Sequence, residues 1–467
     1  VAIGQTALCT NTFGQRNTVM GVQAMKLNTV GGCNVAIGFN SLTANTTGNN
    51  NTTVGYESLK ANTTGIDNVA IGWSALIKST TAQQNTAVGT MALACNTVGC
   101  DNVAIGSRAM CANTTGNLNV SVGRSALRAN TTGKCNVAIG ALSLTSNTTG
   151  FYNTGVGYQA LTTNTFGLCN TGLGYRALAS NTTGNNNTAL GLIALQANTS
   201  GSNNTAVGYF SLVSNTTGVC NTAIGSNSLR ANTIGIRNTS VGNESLKCNT
   251  TGNYNTSVGY QSLRSNTTGE YNTAVGDGTL YSNTTGHSNV ALGRSALLLN
   301  TIGIQNVAVG KDSLLNNTTG AQNVSLGVNT LCANTVGKYN TSIGACAMKA
   351  NITGQENTVL GGLALDASTA GHGNVSIGYA SLSSSLVDYN VAIGFGSMFL
   401  NTTGISNTAI GTETLKANTT GNYNTSVGYQ SLKTNTIGVD NVAMGFRALC
   451  ANTAGTCNTA IGSCSLF

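Results

Sequence analysis

The sequence predicts an all-β fold, a parallel β-roll or β-solenoid built from seventeen-residue coils. A glycine recurs every seventeen residues from Gly4 to Gly378, and after the loss of one residue the register continues from Gly394 to Gly462. Pro is absent, and 60 Gly with abundant Asn and Thr place turn formers in every repeat. The apolar residues lack the i, i+3, i+4 spacing of a helix. A fixed period of this length is typical of a solenoid whose repeats contact their neighbours.

One repeat, residues 255–271, reads NTSVGYQSLRSNTTGEY, and its positions are numbered from 1 at Asn255. Positions 1–4 are predicted to form one strand and positions 7–10 a second, with turns at positions 5–6 and 12–16. No linker interrupts the pattern. Residues 1–467 are therefore predicted to form a single repeat domain of about 27 coils, with a one-residue deletion near 385–389. Because both ends interrupt a repeat, we expect the chain to be a section of a longer protein.

Two columns of large apolar residues indicate a core. Position 4 is aliphatic in every repeat, and position 9 is always Leu or Met. Burying each such side chain contributes roughly 1.5–3 kcal/mol, and stacked repeats would make the columns continuous. The predicted core is represented by Ile37, Leu42, Val258 and Leu263.

Asparagine recurs at positions 1 and 12, the second column having three Ser exceptions. Stacked amides in register can hydrogen-bond from coil to coil and can also cap turn backbone groups. We therefore predict Asn ladders that include Asn255, Asn266 and Asn272.

Small uncharged residues occupy positions 3 and 8, which are Ala, Ser, Thr or Gly in nearly every repeat. Position 3 alternates with position 4 along a strand, so it is predicted to face outward. A solvent-facing strand position should tolerate Lys, Glu or Arg, and none occurs there. This favours close packing against another copy of the chain; the alternative is a narrow coil with no room for larger residues.

The run N-x-A-I-G-x-x-(A/S)-L, as in Asn34 to Leu42, resembles the head repeats of trimeric autotransporter adhesins and arrays in tail-fibre-like proteins of phages and giant viruses. The resemblance extends over the whole chain. It implies a left-handed parallel β-roll packed as a homotrimer, on an extracellular or virion surface. The seventeen-residue period is longer than the period of roughly fourteen residues of those heads, through an inserted N-T-T-G turn.

Nothing in the repeat points to catalysis. His287 and His372 each stand alone on a predicted turn, and no nucleophile, phosphate-loop or paired-carboxylate pattern recurs. The 14 Cys are scattered without a metal-binding spacing, and the turns lack the Asp residues of calcium-binding rolls. We therefore expect no enzymatic activity, no cofactor and no metal.

Charge argues against a nucleic-acid partner, and hydropathy argues against a membrane-spanning segment. The net charge of +8 is small for this length and the basic residues are not in runs, so no nucleic-acid partner is expected. No stretch approaches the roughly 18 apolar residues of a membrane span.

Exposed aromatic residues recur at position 6, and rows of them can bind sugars; the candidates are Tyr56, Trp73, Tyr260 and Tyr429. Three functions follow. The first is a structural fibre or spike shaft, adhesin-like and self-associating. The second is a rod that binds glycans or a host surface through rim Tyr and Lys/Arg columns. The third is ice binding by the Thr column at position 13.

Overall fold

The computed structural model describes residues 1–466 as a parallel β-solenoid with one short strand in each coil. The chain divides into two compact units, residues 1–234 and 235–467. This division does not test the prediction of a single repeat domain, which stays a prediction. None of the described residues belongs to a helix that could cross a membrane.

Each unit contains fourteen strands. The strands of the first unit are β1 Ala2–Ile3, β2 Thr18–Met20, β3 Val35–Ile37, β4 Thr52–Val54, β5 Val69–Ile71, β6 Thr86–Val88, β7 Val103–Ile105, β8 Val120–Val122, β9 Val137–Ile139, β10 Thr154–Val156, β11 Thr171–Leu173, β12 Thr188–Leu190, β13 Thr205–Val207 and β14 Thr222–Ile224.

The strands of the second unit are β15 Thr239–Val241, β16 Thr256–Val258, β17 Thr273–Val275, β18 Val290–Leu292, β19 Val307–Val309, β20 Val324–Leu326, β21 Thr341–Ile343, β22 Thr358–Leu360, β23 Val375–Ile377, β24 Val391–Ile393, β25 Thr408–Ile410, β26 Thr425–Val427, β27 Val442–Met444 and β28 Thr459–Ile461.

Within each unit, every strand pairs in parallel with the strand one repeat further along the chain. Thr256 lies opposite Thr273, for example, seventeen residues on. The shortened repeat keeps this pairing, because Val375 lies opposite Val391, sixteen residues on. The missing residue is thus removed from the turn at 385–389, and the strands on either side remain aligned.

The strands place their small residues inward. In β3, Ala36 is fully buried whereas Val35 and Ile37 are half-buried, and β16 repeats the pattern. The expectation that Ile37 and Val258 form the core is therefore wrong: both lie on the outer face. The interior has little room, because a Cβ added at Gly155 would lie 2.6 Å from Ser143 Oγ; the largest residues buried at position 3 are Val19 and Val359.

This orientation also overturns the argument that positions 3 and 8 face a second copy. Ser257 at position 3 and Ser262 at position 8 are both completely buried within their own chain. Ser257 Oγ donates a hydrogen bond to the carbonyl oxygen of Ser262 at 2.9 Å. The alternative reading, a coil too narrow for larger residues, is the one that the structure supports.

Positions 6–11 form a tight turn segment and not a second strand, so that prediction is wrong as well. Leu42 and Leu263, at position 9, are completely buried, with φ of 52° and 51°. Position 7 is also left-handed, as at Asn40 with φ 54°. Each left-handed non-glycine residue costs roughly 1–2 kcal/mol. The inward turn places the position 9 side chain in the centre of the coil, where its burial offsets that cost.

Both recurrent glycines are required by the stacking. Gly259, at position 5, has φ 139°, a conformation that residues with a Cβ rarely adopt. Gly269, at position 15, has no such φ, but a Cβ there would clash with Asn266 Oδ1 and with the carbonyl oxygen of Gly286 in the next coil. The two glycine columns therefore allow successive coils to approach closely.

We predict that Leu263→Ala destabilises its coil and the coils beside it by about 2–5 kcal/mol, because it leaves a cavity in the fully buried column. Val258→Ala, the matched control on the outer face of the same coil, should cost less than about 1 kcal/mol. Urea unfolding combined with hydrogen exchange of residues 255–288 measures both. Equal losses for the two variants would contradict the assignment of the inner and outer faces.

Candidate functional surfaces

The position 1 asparagines form a continuous ladder inside each unit. The backbone N–H and the Nδ2 of Asn272 both donate to Asn255 Oδ1, each at 3.1 Å. Asn272 Nδ2 also donates to the carbonyl oxygen of Gly286 at 2.9 Å. Both asparagines are completely buried. Each amide therefore satisfies the neighbouring coil and its own turn at once.

The position 12 asparagines form a second ladder. Asn266 Nδ2 donates to Asn249 Oδ1 at 2.8 Å and to the carbonyl oxygen of Gly269 at 3.0 Å. The Gly269 carbonyl also accepts from Asn255 Nδ2 at 2.9 Å, so it joins the two ladders. Asn45, which begins a formal glycosylation sequon, is held in the same way and is completely buried. Its amide nitrogen is therefore inaccessible to a glycosylating enzyme in the folded coil.

The threonine column at position 13 is also part of the stacking. Thr267 Oγ1 donates to the carbonyl oxygen of Thr284 at 3.0 Å, and Thr284 Oγ1 donates to that of Thr301 at 3.1 Å. These hydroxyl protons are engaged within the chain. Ice binding by this column stays a prediction. The hydroxyl protons of Thr267 and Thr284 are not free to bond to ice, because both are donated within the chain.

A cluster of charged side chains links two coils around Glu244. Lys247 Nζ donates to Glu244 Oε1 at 2.6 Å, and Arg264 Nε from the next coil donates to Oε2 at 2.9 Å. Gln261 Nε2 adds a third hydrogen bond at 2.9 Å. Hydrogen bonds from Lys247, then Arg264, then Gln261 lower the pKa of Glu244 to about 2.

The same arrangement recurs further along the second unit, at Glu413. Lys416 and Lys433 contact its two carboxylate oxygens at 2.6 and 2.9 Å, and Gln430 donates at 2.8 Å. The hydrogen bond from Lys416, followed by those from Lys433 and Gln430, lowers the pKa of Glu413 to about 2. Both clusters tie positions 7 and 10 of adjacent coils, which marks them as structural contacts on the rim.

The four aromatic residues predicted to bind sugars are all about half exposed, but they differ in setting. Tyr56 stacks on Phe39 with a centroid distance of 5.3 Å, and Tyr429 stacks on Phe446 at 5.5 Å. Stacking covers one face of each ring, which leaves less surface for a sugar. Trp73 and Tyr260 have no ring partner among residues 1–466.

Two grooves occur where an aromatic residue is followed in its column by a short side chain. Trp73 lies at one end of a groove of about 470 Å³ in the first unit, with Thr90 next in the same column. Tyr271 borders a groove of about 430 Å³ in the second unit, with Ser288 next. Because a short residue leaves the volume of the missing ring empty, sequence irregularities on the rim create the concave surfaces.

Cysteine and histidine side chains are scattered over the described residues 1–466. All 14 cysteines are free, and residues 1–466 contain no group of three or more His, Cys, Asp or Glu that could hold a metal ion. Burial raises the pKa of the Cys111 and Cys332 thiols, which disfavours the nucleophilic thiolate. His287 Nδ1 lies 3.3 Å from Ser288 Oγ, whereas His372 is not alone on its turn: Asp388 Oδ1 lies 3.5 Å from its Nδ1.

Comparison with protein-family models finds no match to the chain, and no curated protein matches it significantly.

We predict that Asn187→Asp, which changes one atom of the position 1 ladder, destabilises the first unit by about 3 kcal/mol. The carboxylate would lose both Nδ2 bonds, to Asn170 Oδ1 at 3.1 Å and to the Gly201 carbonyl at 2.8 Å, and would face those oxygens. Asn186→Asp is the control, because the Asn186 side chain, one residue earlier, is exposed. Chemical denaturation measures the difference; comparable stability of the two variants would refute a structural role for the ladder.

We predict that Glu244 stabilises the fold at neutral pH by about 1 kcal/mol, allowing for screening at the surface. Its pKa is lowered on folding, so this contribution is present at neutral pH and disappears as the pH falls from 4.5 to about 2. Glu244→Gln should therefore be less stable than the parent at pH 7 and equally stable near pH 2. The exposed Glu356→Gln is the control, and urea unfolding across this range is the measurement. A deficit for Glu244→Gln that persists at pH 2 would exclude the ion-pair origin.

Proposed function

We propose that the chain is part of the shaft of a fibre or spike on an extracellular or virion surface, assembled from copies that lie side by side. The observation that carries the proposal is the outer strand face, formed by positions 2 and 4. Position 2 is Thr or Val and position 4 is Ile, Val, Leu or Met in every repeat, so this face has no charged residue in either unit.

The exposure of this face supports a partner that covers it. Position 4 side chains such as Ile139, Leu173 and Leu190 are each about 40% exposed. Soluble proteins rarely expose a continuous apolar surface, and exposed sheets normally carry interspersed charges that prevent association. All Lys, Arg, Asp and Glu of the regular repeats instead lie on the rim at positions 6, 7, 10, 11, 16 and 17.

A second copy of the same chain is the occupant that fits this face best. Its own outer face presents the same apolar residues at the same spacing, so equivalent coils can pack against each other along each unit. We propose three copies around a common axis, the number in the adhesin heads that the repeat resembles. In this arrangement positions 2 and 4 line the centre and the charged rim faces solvent.

The ladders support the mechanical part of the proposal. Each coil is joined to the next by buried amides, by the backbone pairing of strands and by threonine hydroxyls, as described above. A stack joined in this way resists bending and local opening because each coil contributes several bonds to each neighbour. A shaft that spaces or presents an adhesive end needs that stiffness and no reaction centre.

We predict that the parent chain assembles as a trimer in solution and that charges on the outer strand face convert it to a monomer. The test variant places three lysines at position 4: Ile139→Lys, Leu173→Lys and Leu190→Lys. Buried lysines at the contact would be unpaired, which costs several kcal/mol for each copy. Sedimentation equilibrium measures the mass.

The matched control adds the same charge to the same three coils on the exposed position 14: Thr149→Lys, Thr183→Lys and Ser200→Lys. It should remain trimeric. A monomeric parent chain, or loss of assembly in both variants alike, would contradict the proposal.

A further inference from the structure

Three arginines converge on the groove beside Trp73 in the first unit. The groove is lined by Trp73, Thr90, Met91, Ser107, Arg108, Arg124, Ser125, Arg128 and Leu142. The arginines belong to two successive coils, separated by about 4.8 Å along the stack. All three side chains are exposed.

These arginines lack the partners that arginines find elsewhere in the chain. Arg264 pairs with Glu244 at 2.9 Å, and Arg230 and Arg237 lie over the rings of Phe210 and Tyr254. No carboxylate lies within ion-pair distance of the groove arginines among residues 1–466. Three like charges at close spacing repel one another, so an anion bound between them would be stabilised.

The floor and one end of the groove add a different chemistry. Thr90 and Ser107 follow Trp73 in the position 6 column, and their short side chains open the groove for about 14 Å until Arg124. Their hydroxyl groups can donate and accept hydrogen bonds. The indole of Trp73, which is 50% exposed, supplies apolar surface at the opposite end from Arg124.

We propose that this groove is a binding site for a short acidic oligosaccharide that carries sulfate or carboxylate groups. The arginines bind the anionic groups through paired N–H donors, the threonine and serine hydroxyls bind sugar hydroxyls, and the indole packs against a sugar ring. The site lies within one unit and on the rim, away from the outer strand face. It would function whether or not copies of the chain associate.

An acidic sugar fits the site better than a nucleic acid. Single-stranded nucleic acids need a basic groove that follows the backbone and several aromatic side chains for successive bases. The groove has one aromatic residue, Trp73, and its cations are confined to two coils. The hydroxyl-rich floor between them matches the many hydroxyl groups of a sugar.

Isothermal titration of the whole chain at physiological salt tests the site with four probes: a sulfated tetrasaccharide, the uncharged tetrasaccharide of the same backbone, inorganic sulfate and a single-stranded oligonucleotide. We expect the sulfated tetrasaccharide to bind at least about tenfold more tightly than each of the others. Trp73→Ala and the triple variant Arg108→Gln, Arg124→Gln and Arg128→Gln should each weaken its binding by at least about tenfold. The variant with Lys at the same three positions keeps the charge but loses the paired donors. Its affinity for the sulfated tetrasaccharide should lie between those of the parent chain and the triple Gln variant.

The control removes the same charge from exposed residues outside the groove: Arg16→Gln, Lys78→Gln and Lys134→Gln. It should bind the sulfated tetrasaccharide like the parent chain. Three results would overturn the site: no binding of that probe, an equal loss in the control, or binding that is indifferent to Trp73→Ala. Tighter binding of the oligonucleotide would assign the groove to nucleic acid instead. Because every substituted residue is exposed, far-ultraviolet circular dichroism should be unchanged and a folding defect would be visible separately.

Discussion

The close stacking of identical coils through buried asparagine amides is the constraint on which the rest of the structure depends. Asn255 and Asn266 both donate to the carbonyl oxygen of Gly269, and each also bonds to the asparagine one coil before it. Since an unsatisfied buried amide is costly, neither column can be replaced by another residue type without loss. The position 15 glycine follows from the same geometry, because a Cβ at Gly269 would lie 2.4 Å from Asn266 Oδ1. Where Ser79 replaces the asparagine, position 15 holds the buried Ala82.

The sequence predicted the solenoid, its period and the strand at positions 1–4, because repetition and turn formers are visible without a structure. The second strand expected at positions 7–10 is a turn segment. It did not predict which face of the strand is inside. Ranking residues by hydrophobicity placed Val258 in the core and Ser257 outside, whereas the coil is filled by Leu263 and leaves room only for small residues beside it. Interior volume, and not hydrophobicity, decides the orientation of this strand. The left-handed conformation of the position 9 leucines was also not predictable from backbone propensity. Only the burial of the side chain in the coil offsets the energetic cost of that conformation.

Charged residues are absent from positions 3 and 8 and from positions 2 and 4, for two different reasons. Positions 3 and 8 are uncharged because they are buried in their own chain. Positions 2 and 4 are uncharged although they face outward, which supports the proposed contact between copies. The rim has the opposite character: its residues vary from coil to coil, and that variation produces the Glu244 and Glu413 clusters, the aromatic pairs and the groove at Trp73. Only Trp73 could have been selected from the sequence. The convergence of Arg108, Arg124 and Arg128 on it depends on how positions 6, 7 and 10 of successive coils meet.

We propose that the outer strand face is the contact between copies and that the coil interior belongs to each chain alone. An electron-microscopic cross-section of the assembled particle is the decisive measurement. We expect three coils in each section, with positions 2 and 4 directed toward a common axis and the charged rim toward solvent. A single coil with the outer strand face in solvent, or copies joined through the rim, would contradict this proposal.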